Sequence, residues 1–360
     1  MARWFLDHSA HRGIPSVSLR QLLPDAWFPG RGDLLVSGCS SNALRLEPGE
    51  VFVAVESIDH DGHNDVELAL ERGAAAVVVE RPSPEAGRLQ VVVPDTRKAL
   101  GALAHALAGE PSESLSLSAF CGTTGAEAAS TFLRSILEAS GQRVGMIGSH
   151  EWTDGHSVYP LRTSELSPPE LASLLGRMID RRCASALLCV TRKGVEDGSA
   201  ESLLPAEAVV LNVHAPGMDA DEAQRTRRVF SKLTRSVVPT GTVIVNADDP
   251  DAELLGGVHL DARRIAFSLK GNGEVSGRID RLDSQGSRLT LSGFGDDFAV
   301  ELRPAGHLAV EAALAAAAVA WSRGIDRGSV RLGLEAVTQL KGRLEPLPIR
   351  DGVDVRLEYP

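Results

Sequence analysis

Aromatic residues are scarce in this chain of 360 residues: Phe, Tyr and Trp together make up 4% of it. Packing is left to Ala, Leu, Val and Gly, a balance that suits an α/β protein whose helices lie close on a sheet. Cysteine is scarce as well. Cys39, Cys121, Cys183 and Cys189 are scattered and form no C-x-x-C pair, which argues against a zinc site and a disulfide framework. Positive charge is in deficit. With a formal net charge of −11, bulk electrostatics argue against nucleic acid or an anionic membrane as partner. No apolar run reaches the roughly 18–20 residues of a membrane span, and residues 1–13 (MARWFLDHSAHRG) lack the apolar stretch of a secretion signal. A cytoplasmic location is the default expectation.

What is present is ordinary in bulk and informative in order. Apolar content of 43% and charged content of 24% fit a globular protein, and the length allows two or three domains with ample core. Residues 51–55 (VFVAV), 74–79 (AAAVVV) and 90–93 (QVVV) have buried-strand patterns, and residues 66–72 and 96–108 have helical spacing. This predicts a small N-terminal α/β domain over residues 1–112, followed by a linker at 109–114 (GEPSES). From residue 113 strands and helices alternate again. Strands are expected at 115–120, 143–147, 185–190, 208–213 and 242–246, with helices at 126–140, 169–181 and 221–236. That alternation predicts a doubly wound, mostly parallel-sheet central domain over 113–340. Residues 263–303 switch to short alternating strands and read as a β-rich insertion or edge. Helices at 309–321 and 329–337 follow.

The stretch from Cys121 to Ser130, CGTTGAEAAS, has the glycine frame of a phosphate-binding loop between a strand and a helix. Such loops cradle phosphate on backbone N–H groups, reach it with a lysine, and hold Mg²⁺ with a hydroxyl. Gly122, Thr123, Thr124 and Gly125 keep the frame of a shortened G-x-x-G-K-[ST] loop. Ala126 stands at the lysine position and Glu127 at the hydroxyl position. A carboxylate there repels a triphosphate. The bland reading of the same residues is a tight strand-to-helix turn with a first-turn acid that suits the helix dipole.

Four ordered motifs accompany this loop: SLRQLLPD (18–25), EPGEVFVAVESIDHDGHNDVELALERGAAAVVVE (47–80), NADDP (246–250) and GRLE (342–345). Together they resemble the Mur ligase family, and within it the ligases that add the third residue of the peptidoglycan peptide. The resemblance implies a UDP-binding first domain, a P-loop-type ATPase central domain that uses ATP and Mg²⁺, and a third domain that brings the amino acid. Residues 341–360, ending LEYP, are similar to the entrance of that third domain, which is expected to be missing.

Residue by residue, the resemblance implies further losses. The family's Mg²⁺-binding glutamate falls at Cys189 and its following histidine at Lys193. Its D-H-L-D falls at Pro216, Gly217, Met218 and Asp219, and its metal-holding lysine at about Phe230. Both asparagines of its adenine-side N-V-x-N-A fall on alanines within residues 309–313 (AVEAA). Asn246, Asp248, Asp249 and Arg343 match nucleotide-base contacts; the first three serve equally as a turn and helix cap. Ser40, Ser41, Asp61, Gly62 and His63 match the UDP-binding region, or persist as structure. Lys193 and Arg192 read as a solvated pair, or as partners for an anion or Glu127. His150 and His214 follow strands without a catalytic constellation.

The expectation is a catalytically inactive pseudo-ligase with no cofactor of its own, binding a UDP-N-acetylmuramoyl-peptide or a protein partner. Two other readings stand beside it. One is an ATP-dependent ligase served by a separate third domain; the other is a scaffolding protein without a small-molecule ligand.

Overall fold

A computed structural model describes residues 16–30, 32–57, 60–161, 163, 165–196, 203–215, 217–257, 261–293, 295–341, 345–347 and 355–357. The chain groups into two compact units. The first takes Met1–Ser114 with Glu165–Arg177 and Glu196–Leu203; the second takes Leu115–Ser164, Met178–Val195 and Leu204–Pro360.

The first unit holds a four-stranded parallel sheet in sequence order, β1 (Cys39–Ser40), β2 (Val51–Val53), β3 (Ala76–Val79) and β4 (Gln90–Val92). Helix α1 (Val66–Glu71) connects β2 to β3, and α2 (Thr96–Leu107) follows β4. Alternation along the strands separates two apolar layers. Val51, Val53, Ala76, Val78 and Val91 pack with Leu100, Leu103 and Ala104 of α2. Phe52, Val77 and Val79 pack with Val66 and Ala69 of α1. Both faces are covered, so the strands are apolar throughout, as parallel sheets require. Asp95 starts α2 by accepting from the Lys98 amide at 3.1 Å. The expected linker is more ordered than its composition suggests, because Pro111 opens a helical turn, Pro111–Ser114.

The second unit is built on an eleven-stranded sheet. In chain order its elements are β5 (Ser116–Cys121), α3 (Ala126–Ala139), β6 (Val144–Ile147), β7 (Glu151–Thr153), β8 (Val158–Pro160), β9 (Ser185–Cys189), β10 (Glu207–Val210), α4 (Ala220–Arg235), β11 (Thr242–Asn246), β12 (Arg263–Ser268), β13 (Val275–Asp283), β14 (Gly286–Gly293), β15 (Asp296–Leu302), α5 (His307–Ser322) and α6 (Arg327–Ala336). Across the sheet the order is β8-β7-β6-β9-β5-β10-β11-β12-β13-β14-β15. The centre, from β6 to β12, is parallel; this is the expected α/β fold.

Of the two expected readings of residues 263–303, insertion or edge, the structure has the edge. β12 is a parallel strand of the main sheet, and β13–β15 extend it as an antiparallel meander. The hairpin β7–β8 was not anticipated, although Asp154-Gly155 between its strands is a strong turn signal. Asp154 accepts from the His156 and Ser157 amides at 3.1 and 2.9 Å.

Helix α5 is apolar all round, with Ala309, Val310 and Ala312–Ala320 buried, and it packs on α3. Its small side chains allow that approach. Gly333 of α6 is closer still: a Cβ there would lie 2.3 Å from Ile136 Cα of α3. Beyond the last turn of α5, Arg323 makes a bidentate pair with Glu207 (2.9 and 2.6 Å) and donates to Ser118 and Ser185. That one side chain ties the helix to β5, β9 and β10.

Candidate functional site

The parallel centre sets where chemistry can occur, since α/β sheets bind ligands outside the carboxyl ends of their strands. There β5 ends at Cys121, and the loop Gly122–Gly125 turns the chain into α3. Gly125 has φ +84° and sits against Leu211, so a side chain would be strained at this turn. As the N-cap residue of α3, Gly125 supplies no side-chain cap, and the first-turn amides have no side-chain acceptor from it.

The loop is held from the side by Asn212, just beyond β10. Asn212 Oδ1 accepts from Thr123 Oγ1 (2.6 Å) and the Thr124 amide (3.0 Å); its Nδ2 donates to Thr124 O (3.0 Å) and Thr124 Oγ1 (3.2 Å). Gly122 lies against the same side chain, with a Cβ there meeting Asn212 Oδ1 at 3.3 Å.

The next layer is the NADDP turn. Asn246 Oδ1 accepts from the Asp248 amide. Asp248 accepts from Ser268 Oγ and the Leu269 amide, each at 2.6 Å. Asp249 caps Pro250–Leu255 through the Asp251 and Ala252 amides, while its other oxygen takes the Val213 and His214 amides at 2.8 and 3.2 Å. Asp251 then joins His214 Nε2 and Arg227 Nη1, each at 2.6 Å. These residues thus make the turn-and-cap bonds that their types allow, and they fix the segment that carries Asn212. Arg343 lies outside the described residues.

The positions singled out for phosphate and metal chemistry gather at the strand ends. Ala126 opens α3 with a methyl group. Glu127 reaches over Gly148, the residue after β6: a Cβ on Gly148 would lie 2.6 Å from Glu127 Oε1. Cys189, at the end of β9, shares a hydrogen bond with Ser130 Oγ at 3.1 Å. Burial pushes its thiol up to about 12, against the hydrogen bond from Ser130 and with help from the charge of Glu127. Cys189 is therefore an uncharged thiol at neutral pH.

Arg192 pairs with Glu222 at 3.3 Å rather than with Glu127, and Lys193 lies on the short helix Arg192–Glu196. Asp219 caps α4 through the Glu222 amide, Phe230 is buried in the core, Gly217 has φ +85°, and Pro216 lies outside the described residues. On α5, burial raises the Glu311 carboxyl, with Asp248 and Asp249 adding to the rise and His307 and Lys270 opposing it. No group of three or more His, Cys, Asp or Glu side chains among the described residues is arranged to hold a metal ion.

In the first unit, Asp61 caps the 3₁₀ turn Gly62–Asp65. Its Oδ1 accepts from the His63 amide and from His63 Nδ1 at 3.0 and 2.8 Å, and its Oδ2 pairs with Arg81. The Glu80 amide donates to His63 Nε2 at 3.0 Å, which leaves the ring hydrogen on Nδ1. Bonding from the His63 amide, with Arg81 and the His63 ring adding, holds the Asp61 carboxyl down at about 2 despite some desolvation. Gly62 is packed on Val55, where a Cβ would come within 2.8 Å of backbone N and O. Ser40 Oγ exchanges hydrogen bonds with the backbone of Asn42, each at 3.1 Å. Ser41 follows β1.

Sequence reasoning missed Asn212, Gly148 and Ser130. Each is a common residue type with no motif of its own, and each matters through a partner 21 to 88 positions away.

Comparisons with known proteins address the family of the chain. The family description "Mur ligase middle domain" matches residues 121–320. The chain is 29% identical over 331 residues to a UDP-N-acetylmuramoyl-L-alanyl-D-glutamate–2,6-diaminopimelate ligase of Chlorobaculum tepidum, covering 88% of this chain and 64% of the relative. It is 29% identical over 348 residues to a UDP-N-acetylmuramyl-tripeptide synthetase of a Roseiflexus species, covering 90% of this chain and 67% of the relative. Among solved structures, one of a UDP-N-acetylmuramoyl-L-alanyl-D-glutamate–2,6-diaminopimelate ligase superposes with a TM-score of 0.78 at 22% identity, covering 94% of this chain and 69% of the other. A ligase of Acinetobacter baumannii that acts with D-alanyl-D-alanine in its name gives 0.61 at 22% identity, covering 94% and 73%.

A strand–glycine loop–helix on a parallel sheet, with the central match spanning more than half of the chain, defines the class. The chain belongs to the Mur ligase family. It spans 64% of the length of its Chlorobaculum relative. No helix among the described residues is long and apolar enough to cross a membrane.

Proposed function

We propose that this chain is a non-catalytic member of its family, a pseudo-ligase that binds a UDP-N-acetylmuramoyl-peptide or a protein partner and does not drive ligation with ATP. The observation that carries the reading is Cys189. An uncharged thiol, hydrogen-bonded to Ser130, stands where the family resemblance calls for a Mg²⁺-binding carboxylate. Mg²⁺ takes hard oxygen ligands and binds thiols poorly.

Two neighbours support the same reading. Ala126 supplies no cation to a transferring phosphoryl group, and Glu127 supplies the wrong charge. Phosphoryl transfer depends on positioning and on cationic stabilisation; loss of one such group costs roughly 3–4 kcal/mol. The residues present do not fit a Mg-nucleotide.

The binding half of the proposal rests on the family resemblance of Ser40, Ser41, Asp61, Gly62 and His63. The Asp61–His63–Arg81 cluster is internally bonded and fixed in place, so the loop needs no ligand to be ordered. Relatives whose names specify UDP-N-acetylmuramoyl substrates supply the ligand class to try.

The test is calorimetry of the purified chain with UDP-N-acetylmuramoyl-dipeptide and, separately, with Mg-ATP. Binding of the first without the second is the expected result. Binding of neither, with recovery of a defined protein partner, would favour the scaffold form of the proposal. Mg²⁺-dependent ATP binding with turnover would overturn it.

A further inference from the structure

We infer that Glu127 sets this crevice against anionic ligands: its carboxylate, lying over the carboxyl ends of β6 and β9, is the chain's own negative charge where a phosphate would have to sit. The inference rests on the proposed loss of nucleotide-driven ligation, and assigns the exclusion of phosphate to one residue.

Three observations place that charge. The carboxylate crosses from the first turn of α3 to Gly148, whose missing Cβ leaves room for it; a methyl there would come within 2.6 Å of Oε1 and 3.3 Å of Glu151 O, and the flexible carboxylate would have to shift. The charge of Glu127 is felt at Cys189, at the end of the neighbouring strand. Glu127 also makes no ion pair among the described residues, whereas the cations Arg192 and Lys341 are engaged by Glu222 and Glu151 at 3.3 and 2.7 Å.

The first turn of α3 explains why the fold tolerates this arrangement. Gly125 gives the helix no side-chain cap, and an acid in an uncapped first turn is stabilised by the free amides and the helix dipole. An incoming phosphate would draw on the same amides and meet the carboxylate. A unit charge a few ångströms away in a partly buried site changes anion affinity by about tenfold or more.

The experiment titrates inorganic pyrophosphate, without Mg²⁺, into the full chain and into Glu127→Gln, with Glu127→Thr as a second neutral variant. A further pair, Ala126→Lys alone and combined with Glu127→Gln, separates an added cation from a removed anion. The expected result is about tenfold tighter pyrophosphate binding in either neutral variant than in the parent, and tighter binding in the double variant than in Ala126→Lys. Equal affinity of the parent and both neutral variants would overturn the inference and leave the functional reading standing. So would Ala126→Lys binding as tightly as the double variant. ATP turnover by the parent chain would instead remove the functional reading itself.

Discussion

Asn212 grips both backbone polar groups of Thr124, Oδ1 taking the amide N–H at 3.0 Å and Nδ2 giving to the carbonyl oxygen at 3.0 Å. A side-chain amide here does the work of a neighbouring strand. It holds the glycine loop in shape without any ligand. Asn212→Ala is expected to destabilise the protein by about 2 kcal/mol, since it strips partly buried loop groups of their partners. Urea unfolding gives the magnitude. Hydrogen exchange at the Thr124 amide gives the location, and it should speed up well beyond the change in global stability.

The Arg323–Glu207 pair makes a larger claim. Both side chains are nearly buried, at 12% and 8% exposed, and the guanidinium also satisfies Ser118 and Ser185. Arg323→Met leaves a buried carboxylate without its cation and is expected to cost about 3–5 kcal/mol. Arg323→Met with Glu207→Gln should recover much of that loss, because no bare charge remains. Denaturant midpoints for the single and double variants decide between these outcomes.

Close backbone approach predicts a third effect. Gly333→Ala would drive a methyl into the Ile136 backbone, where no flexible side chain can yield. A loss of about 3 kcal/mol is expected, read as a lowered urea midpoint. Gly141→Ala is a useful contrast. Nothing stands within 4 Å of its added Cβ, but its φ is +85°, so only the smaller backbone cost of about 1–2 kcal/mol applies.

Asp61 carries a pH dependence. Its carboxyl is held at about 2 in the fold, below the ordinary value of about 4. The folded state therefore gains stability from Asp61 at pH values above the ordinary value, and loses it as pH falls from about 4 towards about 2. Asp61→Asn should be less stable than the parent at neutral pH. The difference should shrink through that acid window. Thermal unfolding of both proteins from pH 6 to pH 2 measures it.

Much of the fold is legible in the chain. Residues 242–246 (TVIVN) run through four β-branched residues to a turn-forming Asn and are a strand with the expected bounds. The alternation of strands and helices identifies the parallel centre. The meander at 263–303 is harder, because Gly286 and Gly293 signal turns without saying which sheet the strands join. Hydrogen bonds of β12 to β11 and to β13 settle that.

At the site, the glycines and the substituted positions could be named from sequence, since they lie within one loop or one motif. What they touch could not be named. Glu127 over Gly148, Ser130 beside Cys189 and Asn212 on Thr124 each join residues from different elements or loops. Such pairings follow from strand order, which local patterns do not encode.

The thiol chemistry is testable without any ligand. Burial raises Cys39 and Cys189 to about 12 and Cys183 to about 11, and pushes Cys121 up as well. Thiolates, not thiols, attack disulfide reagents. In the folded protein at pH 8, Ellman's reagent should therefore label these cysteines far more slowly than in urea. Fast labelling of Cys189 in the folded state would contradict its assignment as an uncharged thiol.

With Ala126, Glu127 and Cys189 at its strand ends, the crevice is expected not to drive phosphoryl transfer. The most direct measurement is ADP release by the full chain in the presence of Mg-ATP, UDP-N-acetylmuramoyl-dipeptide and an amino-acid mixture, followed by coupled assay against a boiled control. No release above the control is expected. Sustained, substrate-dependent ADP release that is lost on removal of Mg²⁺ would contradict the account.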